Sequence, residues 1–304
     1  MWEAEAHGDA HVRDLAALGM AERTRVELGR REDLGADCAH CFGLCCVALA
    51  FATSADFPID KPAGEPCVNL DERDACRVHT ELRPRGFKGC TVFDCFGAGQ
   101  KVSRQTFAGR SWRDDPETRD AMFSTFPVVR RLHELLWYLD QAIILVESTK
   151  AGAPLLAMFE RVLALSNQQA DALTRLDVDA EFDRARPLLI EASELARRAQ
   201  GARVNRRTGG RSLGPGSDLM GAKLADADLR GLTLRGSLMI GADLRRARLG
   251  HCDLLGVDLR DADLSGAGLR DTIYLTQMQV NSARGDDATV LPAGFSRPSH
   301  WNGR

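Results

Sequence analysis

A leucine recurs at every fifth position through the C-terminal part of the chain. In a helix, five steps of about 100° advance a side chain by about 140° net, so these leucines would scatter around the cylinder. In a flat strand, an odd period would send successive leucines to opposite faces. A chain that turns a corner every five residues can point all of them inward. The eleven positions are Leu219, Leu224, Leu229, Leu234, Met239, Leu244, Leu249, Leu254, Leu259, Leu264 and Leu269.

The position two residues before each leucine is restricted as well. It holds alanine, serine or cysteine, including Cys252, except at Leu232 and Val257. Residues two apart in an extended segment share a face. The pattern therefore predicts one interior lined by leucines and small residues, with the remaining positions polar and outward. Local bulging is expected to accommodate the two larger residues.

This repeat resembles the pentapeptide-repeat family over about residues 217–275. The resemblance implies a right-handed, four-sided β-helix, in which eleven repeats make about three coils. The tail, residues 276–304, resembles the caps that keep stacked repeats soluble. Thr276 is expected to cap a short helix, and Phe295 and Trp301 are expected to cover the open end. The clearest units are Ala227-Asp228-Leu229, Ala242-Asp243-Leu244 and Ala262-Asp263-Leu264.

A second feature is a cluster of cysteines near the other end of the chain. Eight of the nine cysteines lie within 58 residues. Thiolates gather to bind soft metals or to cross-link a secreted domain. A C-x2-C pair such as the first two is a common chelating turn, whose thiolates reach one tetrahedral zinc ion at about 2.3 Å. The eight are Cys38, Cys41, Cys45, Cys46, Cys67, Cys76, Cys90 and Cys95.

Composition favours metal over disulfides. The N-terminal segment lacks the basic and apolar regions of a secretory signal, and no apolar run approaches the length of a membrane span. We therefore expect a cytoplasmic protein, in a reducing compartment where clustered thiols bind metal more often than they pair. Disulfides remain the alternative. The net charge of −3 favours neither nucleic acid nor an anionic membrane as a direct partner.

The cysteine segment resembles a zinc- or iron-chelating family that has eight cysteines and opens with C-x2-C-x2-C-C. Here three residues, not two, separate Cys41 from the adjacent pair Cys45 and Cys46. The resemblance implies that all eight cysteines bind metal, either as two four-cysteine zinc sites or around one iron–sulfur cluster. Adjacent cysteines in extended backbone point apart, so this pair is expected to serve different ions or roles. His40 and His79 are possible substitutes for a thiolate, although each is more simply a surface histidine or a partner of a ligand.

The sequence predicts a multidomain α+β protein. Its parts are a helical arm (1–36), a cysteine-rich metal-binding domain (37–101), a helical bundle (102–200), a linker (201–216), the pentapeptide-repeat β-helix (217–275) and the cap (276–304). In the bundle, Pro127 is expected to start the first helix. Further helices are expected at residues 154–176 and 180–200. Gly97 and Gly99 are interpreted as a turn that leaves the metal domain.

We expect a non-enzymatic interaction or regulatory scaffold that binds zinc or an iron–sulfur cluster and contacts a protein partner, since no catalytic constellation is visible. One alternative is an iron–sulfur redox sensor or electron-transfer partner. Another is a mimic of the DNA duplex that binds gyrase, as some pentapeptide proteins do. Duplex mimicry requires a long acidic surface, whereas residues 217–275 carry nine acidic and eight basic side chains. Duplex mimicry is therefore disfavoured.

Overall fold

The computed structural model describes residues 29–147, 149–199, 206–208 and 211–301. Most of the predicted helical arm, residues 1–28, lies outside this part, and Gly29–Leu34 forms a 3₁₀ helix. Short 3₁₀ helices also occur at Cys38–His40, His79–Glu81 and Ser299–Trp301, and Lys101–Thr106 is a π-helix. Among the described residues, no helix combines the length and the apolar character needed to cross a bilayer. The remaining elements are α1 (Leu44–Val47), α2 (Lys88–Val92), α3 (Ala98–Gln100), α4 (Pro116–Leu145), α5 (Gly152–Ser166), α6 (Ala170–Thr174), α7 (Val178–Ala199), β1 (Arg206–Thr208), β2 (Arg211–Leu213) and α8 (Gln277–Ser282).

The cysteine region is assembled from short elements, as its low periodicity predicts. Two isolated antiparallel bridges, Phe51 with Lys61 and Leu70 with Cys76, supplement α1, α2 and α3. A separate small cluster of buried side chains forms here, and we call it the satellite cluster. A cluster of this size buries little apolar surface, so it can supply only a small share of the stability of the region. Its buried members are Val78, Leu82 and Phe87, with Phe51, Phe57 and Ile59 packed against them.

The long helix α4 is the centre of the helical bundle. Apolar side chains at helical spacing predict one inward face here. Val128 on this face is half-buried, and the other six are buried: Leu132, Leu135, Leu136, Leu139, Ile143 and Val146. The expected start at Pro127 is wrong, because Pro127 lies inside the helix. The helix begins eleven residues earlier, where the side chain of Asp115 accepts a hydrogen bond from Thr118 N at 2.7 Å and Pro116 occupies the first turn. Both are standard helix-start signals.

Three helices pack around α4. The helix predicted over residues 154–176 is divided into α5 and α6, which are separated by a short turn at residues 167–169. The last helix, α7, continues through Pro187 without a break. The N–H groups of Asn167 and Gln168 bond to carbonyls of α5, which closes that helix before α6 begins.

Residues 217–273 form stacked coils of twenty residues. Parallel bridges join residues twenty apart, such as Asp218 with Leu238 and then Leu238 with Asp258. Twenty residues are four repeats, so each coil has four sides and the stacking is that of a β-helix made of single-residue bridges. All eleven residues of the leucine column are at most 2% exposed, which confirms the predicted interior. The right-handed sense stays a prediction.

The corners of the coils explain the period of five. From residue 216 to residue 266, every fifth residue has a positive φ, and most of these residues are glycine. Left-handed backbone is accessible to glycine at little cost and turns the chain sharply. Asp226, Arg246, His251 and Asp261 occupy the same corner with φ values of 53–58°. The corner residue lies two positions after the leucine, a third periodic position that the sequence analysis did not identify.

Both ends of the coiled region are covered. The predicted linker contains β1 and β2, which pair as an antiparallel hairpin, and Leu213 at its end joins the buried interior. At the other end, Thr276 and Gln279 form a capping box at the start of α8, as the sequence predicts for Thr276. Trp301 is buried in the interior cluster, and Phe295 packs against it.

The helical bundle lies against the side of the coils through α7. Three residues one turn apart contact three successive coils. Arg197 donates to Gly231 O at 3.3 Å, Ser193 Oγ donates to Asp253 Oδ2 at 2.6 Å, and Leu189 O accepts from Tyr274 Oη at 2.7 Å. Four helical residues rise about 6 Å, close to the strand spacing of about 4.8 Å. The helix can therefore contact each coil in turn.

Leu244→Ala is expected to destabilise the protein by about 2–5 kcal/mol, because it leaves a cavity in a fully packed interior. The matched control is Leu238→Ala, which removes the same atoms from an outward side chain that is 41% exposed, and we expect a change below about 0.5 kcal/mol. The free energy of unfolding in denaturant measures both. Equal effects of the two variants would contradict the inward assignment of the leucine column.

Candidate metal centre

The eight clustered cysteines converge on two adjoining cavities. Seven of them, all but Cys95, line a cavity of about 220 Å³ together with His79 and the rings of Phe51 and Phe57. A second cavity of about 20 Å³ is lined by Cys38, Cys41, Cys45 and Cys95. Cysteines spread over 58 residues of sequence thus meet in one region, as the metal prediction requires. No disulfide joins two cysteines within the described residues.

Helix α1 holds the adjacent pair Cys45 and Cys46. Gly43 begins this helix in left-handed backbone, with φ at 67°, and a Cβ there would lie 2.8 Å from a methyl carbon of Leu70. The extra residue between Cys41 and the pair therefore lies in a turn made by Gly43. The missing side chain of this glycine leaves room for the loop that contains Leu70. The two sulfurs are 3.9 Å apart. Two thiolates on one tetrahedral ion lie about 3.8 Å apart, so this pair is close enough to share an ion or to ligate two adjoining ions.

Gly99 on α3 leaves space for two of the sulfurs. A Cβ at this position would lie 2.7 Å from the sulfur of Cys41 and 3.8 Å from that of Cys95. The backbone N–H of Gly99 donates to Cys95, and that of Leu44 donates to Cys41. Backbone donors of this kind stabilise metal-bound thiolates. The predicted turn at Gly97 and Gly99 therefore borders the candidate site and does not simply lead away from it.

Several thiols in the cluster hold their protons tightly. Burial raises the pKa of the Cys95 thiol to about 12, and the neighbouring Asp94 and Cys38 add to the rise. Burial and the proximity of Cys45 also hold the pKa of the Cys41 thiol well above its usual value. The pKa of the Cys46 thiol is raised by its hydrogen bond with Cys45 and by burial. A cation among these sulfurs would favour the thiolate forms and release the protons.

Lys61 places a buried ammonium beside the cluster. Its Nζ donates to the carbonyls of Val47, Pro62 and Glu65 at 3.1, 2.9 and 2.8 Å. Its electrostatic neighbours include Cys67 and Cys46. Burial lowers the pKa of this ammonium, and negative charge on the neighbouring cysteines raises it. Nothing in the local sequence marks this lysine as part of the site, because its role depends on a bridge between Phe51 and Lys61.

The two histidines differ in position. His40 is exposed and lines neither cavity, and its Nδ1 lies 2.7 Å from Oδ2 of Asp37, which lines the smaller one. His79 lines the larger cavity near Cys76 and Cys90. Within the described ranges, no three His, Cys, Asp or Glu side chains already stand where one ion would hold them together. Metal binding by the eight cysteines stays a prediction, and it requires the sulfurs to close inward.

The donor set nevertheless fits a thiophilic metal. Eight soft sulfur donors line two adjoining cavities, backbone N–H groups face two of them, and Gly99 leaves the volume that a larger side chain would fill. Soft thiolates select zinc or iron–sulfur iron over the hard cations calcium and magnesium. These residues would hold the metal as thiolates.

Comparison with known proteins identifies the class from the coiled region. The family described as Pentapeptide repeats matches residues 217–254 and 237–273 with eight copies. The C-terminal part of the chain therefore contains pentapeptide repeats.

One relative extends the similarity to nearly the whole chain. The uncharacterized protein YybG of Bacillus subtilis (strain 168) is 48% identical over 269 residues, which cover 88% of this chain and 95% of YybG. The chain belongs to the same family as YybG. No solved structure matches the chain. The resemblance of the cysteine region to the zinc- or iron-chelating family stays a prediction.

The pKa of Cys95 predicts a distinctive alkylation profile in metal-free protein. Thiolates, not thiols, react with iodoacetamide. Below a pKa of about 12, the reaction rate should rise roughly tenfold for each pH unit between pH 8 and pH 10. Mass spectrometry of the peptide that contains Cys95 measures the rate, and circular dichroism verifies folding at each pH.

The control is the same peptide in urea-unfolded chain, where the rate should level off near the ordinary thiol pKa of 9.0. A plateau near pH 9 in the folded protein would show that burial does not perturb this thiol.

Proposed function

We propose that this protein is a non-enzymatic scaffold whose cysteine-rich module is ordered by thiolate-bound metal and whose coiled region binds a protein partner. The carrying observation is the convergence of eight cysteines, from separate short elements, on two adjoining cavities. Zinc is the favoured metal, because closed all-thiolate zinc sites are common in structural modules. The metal would supply cross-links that stabilise the module.

The small core of the module supports a structural role for metal. In the described region, the satellite cluster has only three buried side chains, Val78, Leu82 and Phe87, while Leu44, Val47 and Phe96 of the module are buried in the main core. Small domains with so little apolar burial are commonly stabilised by metal or disulfides. Where the apo state is poorly folded, the free energy of metal binding becomes free energy of folding. A metal-dependent module is therefore a physically economical explanation for the cysteine cluster.

The contacts between the module and the coils connect the metal state to the scaffold. Lys88 on α2 donates to both carboxylate oxygens of Asp261 at 3.0 Å. Asn281 on α8 donates to Thr91 O at 3.1 Å and accepts from Arg83 at 3.0 Å. Because α2 also carries Cys90, loss of metal from this cysteine would loosen the docking of α2 on the coils.

A redox role is the second candidate, and the size of the larger cavity favours it. A volume of about 220 Å³ exceeds what one zinc ion needs, and the aromatic lining would shield an iron–sulfur cluster from water. Such shielding is one of the factors that set the potential of a cluster. The protein would then sense oxidant or pass electrons to a partner enzyme.

Duplex mimicry with gyrase as a partner is disfavoured by the charge pairing on the coils. Aspartate and arginine side chains alternate and neutralise one another, whereas a duplex mimic needs uncompensated acid. The pairs are Arg230 with Asp228, Arg245 with Asp243, Arg246 with Asp226, Arg248 with Asp228 and Arg260 with Asp258. This pairing leaves a mixed surface, which suits a protein partner.

Anaerobic purification with metal analysis and an absorption spectrum is the first test. We expect zinc at about one or two ions per chain and no visible absorption, in keeping with closed zinc sites. Iron with matching sulfide and a broad visible band would transfer the proposal to the redox candidate. Absence of any stoichiometric metal would refute both.

Chelation then tests the structural role. Removing the metal under reducing conditions should expose residues 37–101 to protease and leave residues 217–275 resistant, because the coils have their own buried interior. Limited proteolysis with mass spectrometry measures both regions. Cys252→Ala is the control, since it removes a buried thiol outside the cluster and should bind as much metal as the unaltered chain. An unchanged protease pattern after chelation would contradict the proposal.

A further inference from the structure

The eight cysteines divide into two sets according to the cavity that they line. Cys38, Cys41, Cys45 and Cys95 surround the small cavity, whose volume of about 20 Å³ is near that of one enclosed water or ion. Cys46, Cys67, Cys76 and Cys90 line only the larger cavity. We call these the first set and the second set. Each contains four sulfurs, the number that a closed tetrahedral site requires.

The packing around the sulfurs divides in the same way. Cys41, Cys45 and Cys95 pack against the main core that includes α4. Cys76 and Cys90 pack against the satellite cluster. Cys95 has electrostatic contact with Cys38 and Cys45 of its own set, and Cys46 has it with Cys76 and Cys67. The strongest contact of Cys46 is with its neighbour Cys45, so the two sets adjoin on α1, and the division rests on the cavities and the packing.

We propose that the chain binds two metal ions, one at the first set and one at the second set, so that the adjacent residues Cys45 and Cys46 ligate different ions. This inference rests on the proposed function and specifies its metal site. Each ligating thiol releases its proton to solvent as the sulfur–metal bond forms. Four thiolates around one divalent cation carry a net charge of −2, which the surroundings of each set must compensate.

The two sets have different compensating groups. Near the first set, backbone N–H groups of Leu44 and Gly99 donate to Cys41 and Cys95. Near the second set, the buried ammonium of Lys61 interacts more strongly with Cys67 and Cys46 than with Cys45 of the first set. A whole positive charge offsets part of the −2 in a way that neutral donors cannot. A substitution of the compensating group near one set, with all eight thiols kept, should therefore affect the ion at that set and not the other ion.

Cadmium-113 NMR of the full chain, loaded with cadmium after chelation and reduction, tests the division. We expect two cadmium ions per chain and two resonances. Cys95→Ser should abolish or shift one resonance and Cys90→Ser the other, with cadmium falling from two ions to one in each variant. Cys252→Ala is the matched thiol control and should leave both resonances unchanged.

Two further variants keep all eight cysteines, so they test the division even if the cysteine variants fail to fold. Gly99→Ala places a methyl group 2.7 Å from the Cys41 sulfur and should shift the resonance that Cys95→Ser affects. Lys61→Met should shift the resonance that Cys90→Ser affects. If Cys95→Ser and Cys90→Ser alter the same resonance, or if Gly99→Ala and Lys61→Met do, the division is overturned while metal binding stands. If the chain binds no cadmium, the proposed function itself fails.

Discussion

Backbone hydrogen bonds between residues about twenty apart determine the structure of residues 217–273. Each coil must close after twenty residues for Asp218 to reach Leu238 and for Leu238 to reach Asp258. Closure needs four corners, and a left-handed residue at every fifth position makes them. The leucines fill the enclosed space because the corners leave only one inward direction. The five-residue period, the left-handed corners and the buried leucines thus all follow from the requirement that each coil closes after twenty residues.

The helical bundle and the cysteine module both pack against these coils. Helix α7 runs along their side and contacts three coils, while Trp137 on α4 donates to Leu275 O at 3.2 Å beside the cap. The module touches the coils through α2 and packs its first cysteines against the bundle core. Cys76 and Cys90 of its second set pack against the satellite cluster, the smallest of the three buried clusters among the described residues. A metal at the second set would therefore strengthen the part with the least packing of its own.

The sequence predicted the coiled region well because its information is local and periodic. The leucine column and the Thr276 cap were confirmed, since each depends on residues close in sequence. Pro127 was misread because proline suits both a first helical turn and, with tertiary support, an interior position. The roles of Lys61 and Gly99 were missed because they arise from contacts between distant segments. Convergence of the cysteines was predicted, but their division between two cavities requires the three-dimensional arrangement of α1.

The alignment of α7 with the coils limits how the length of this chain can vary. Gly231, Asp253 and Tyr274 lie in successive coils on the side that α7 covers. Inserting one five-residue unit between them would keep the leucines inward but move every later residue to the next side. Asp253 and Tyr274 would then face away from Ser193 and Leu189. Only a change of twenty residues restores the side, so related chains should gain or lose length in this segment by whole coils.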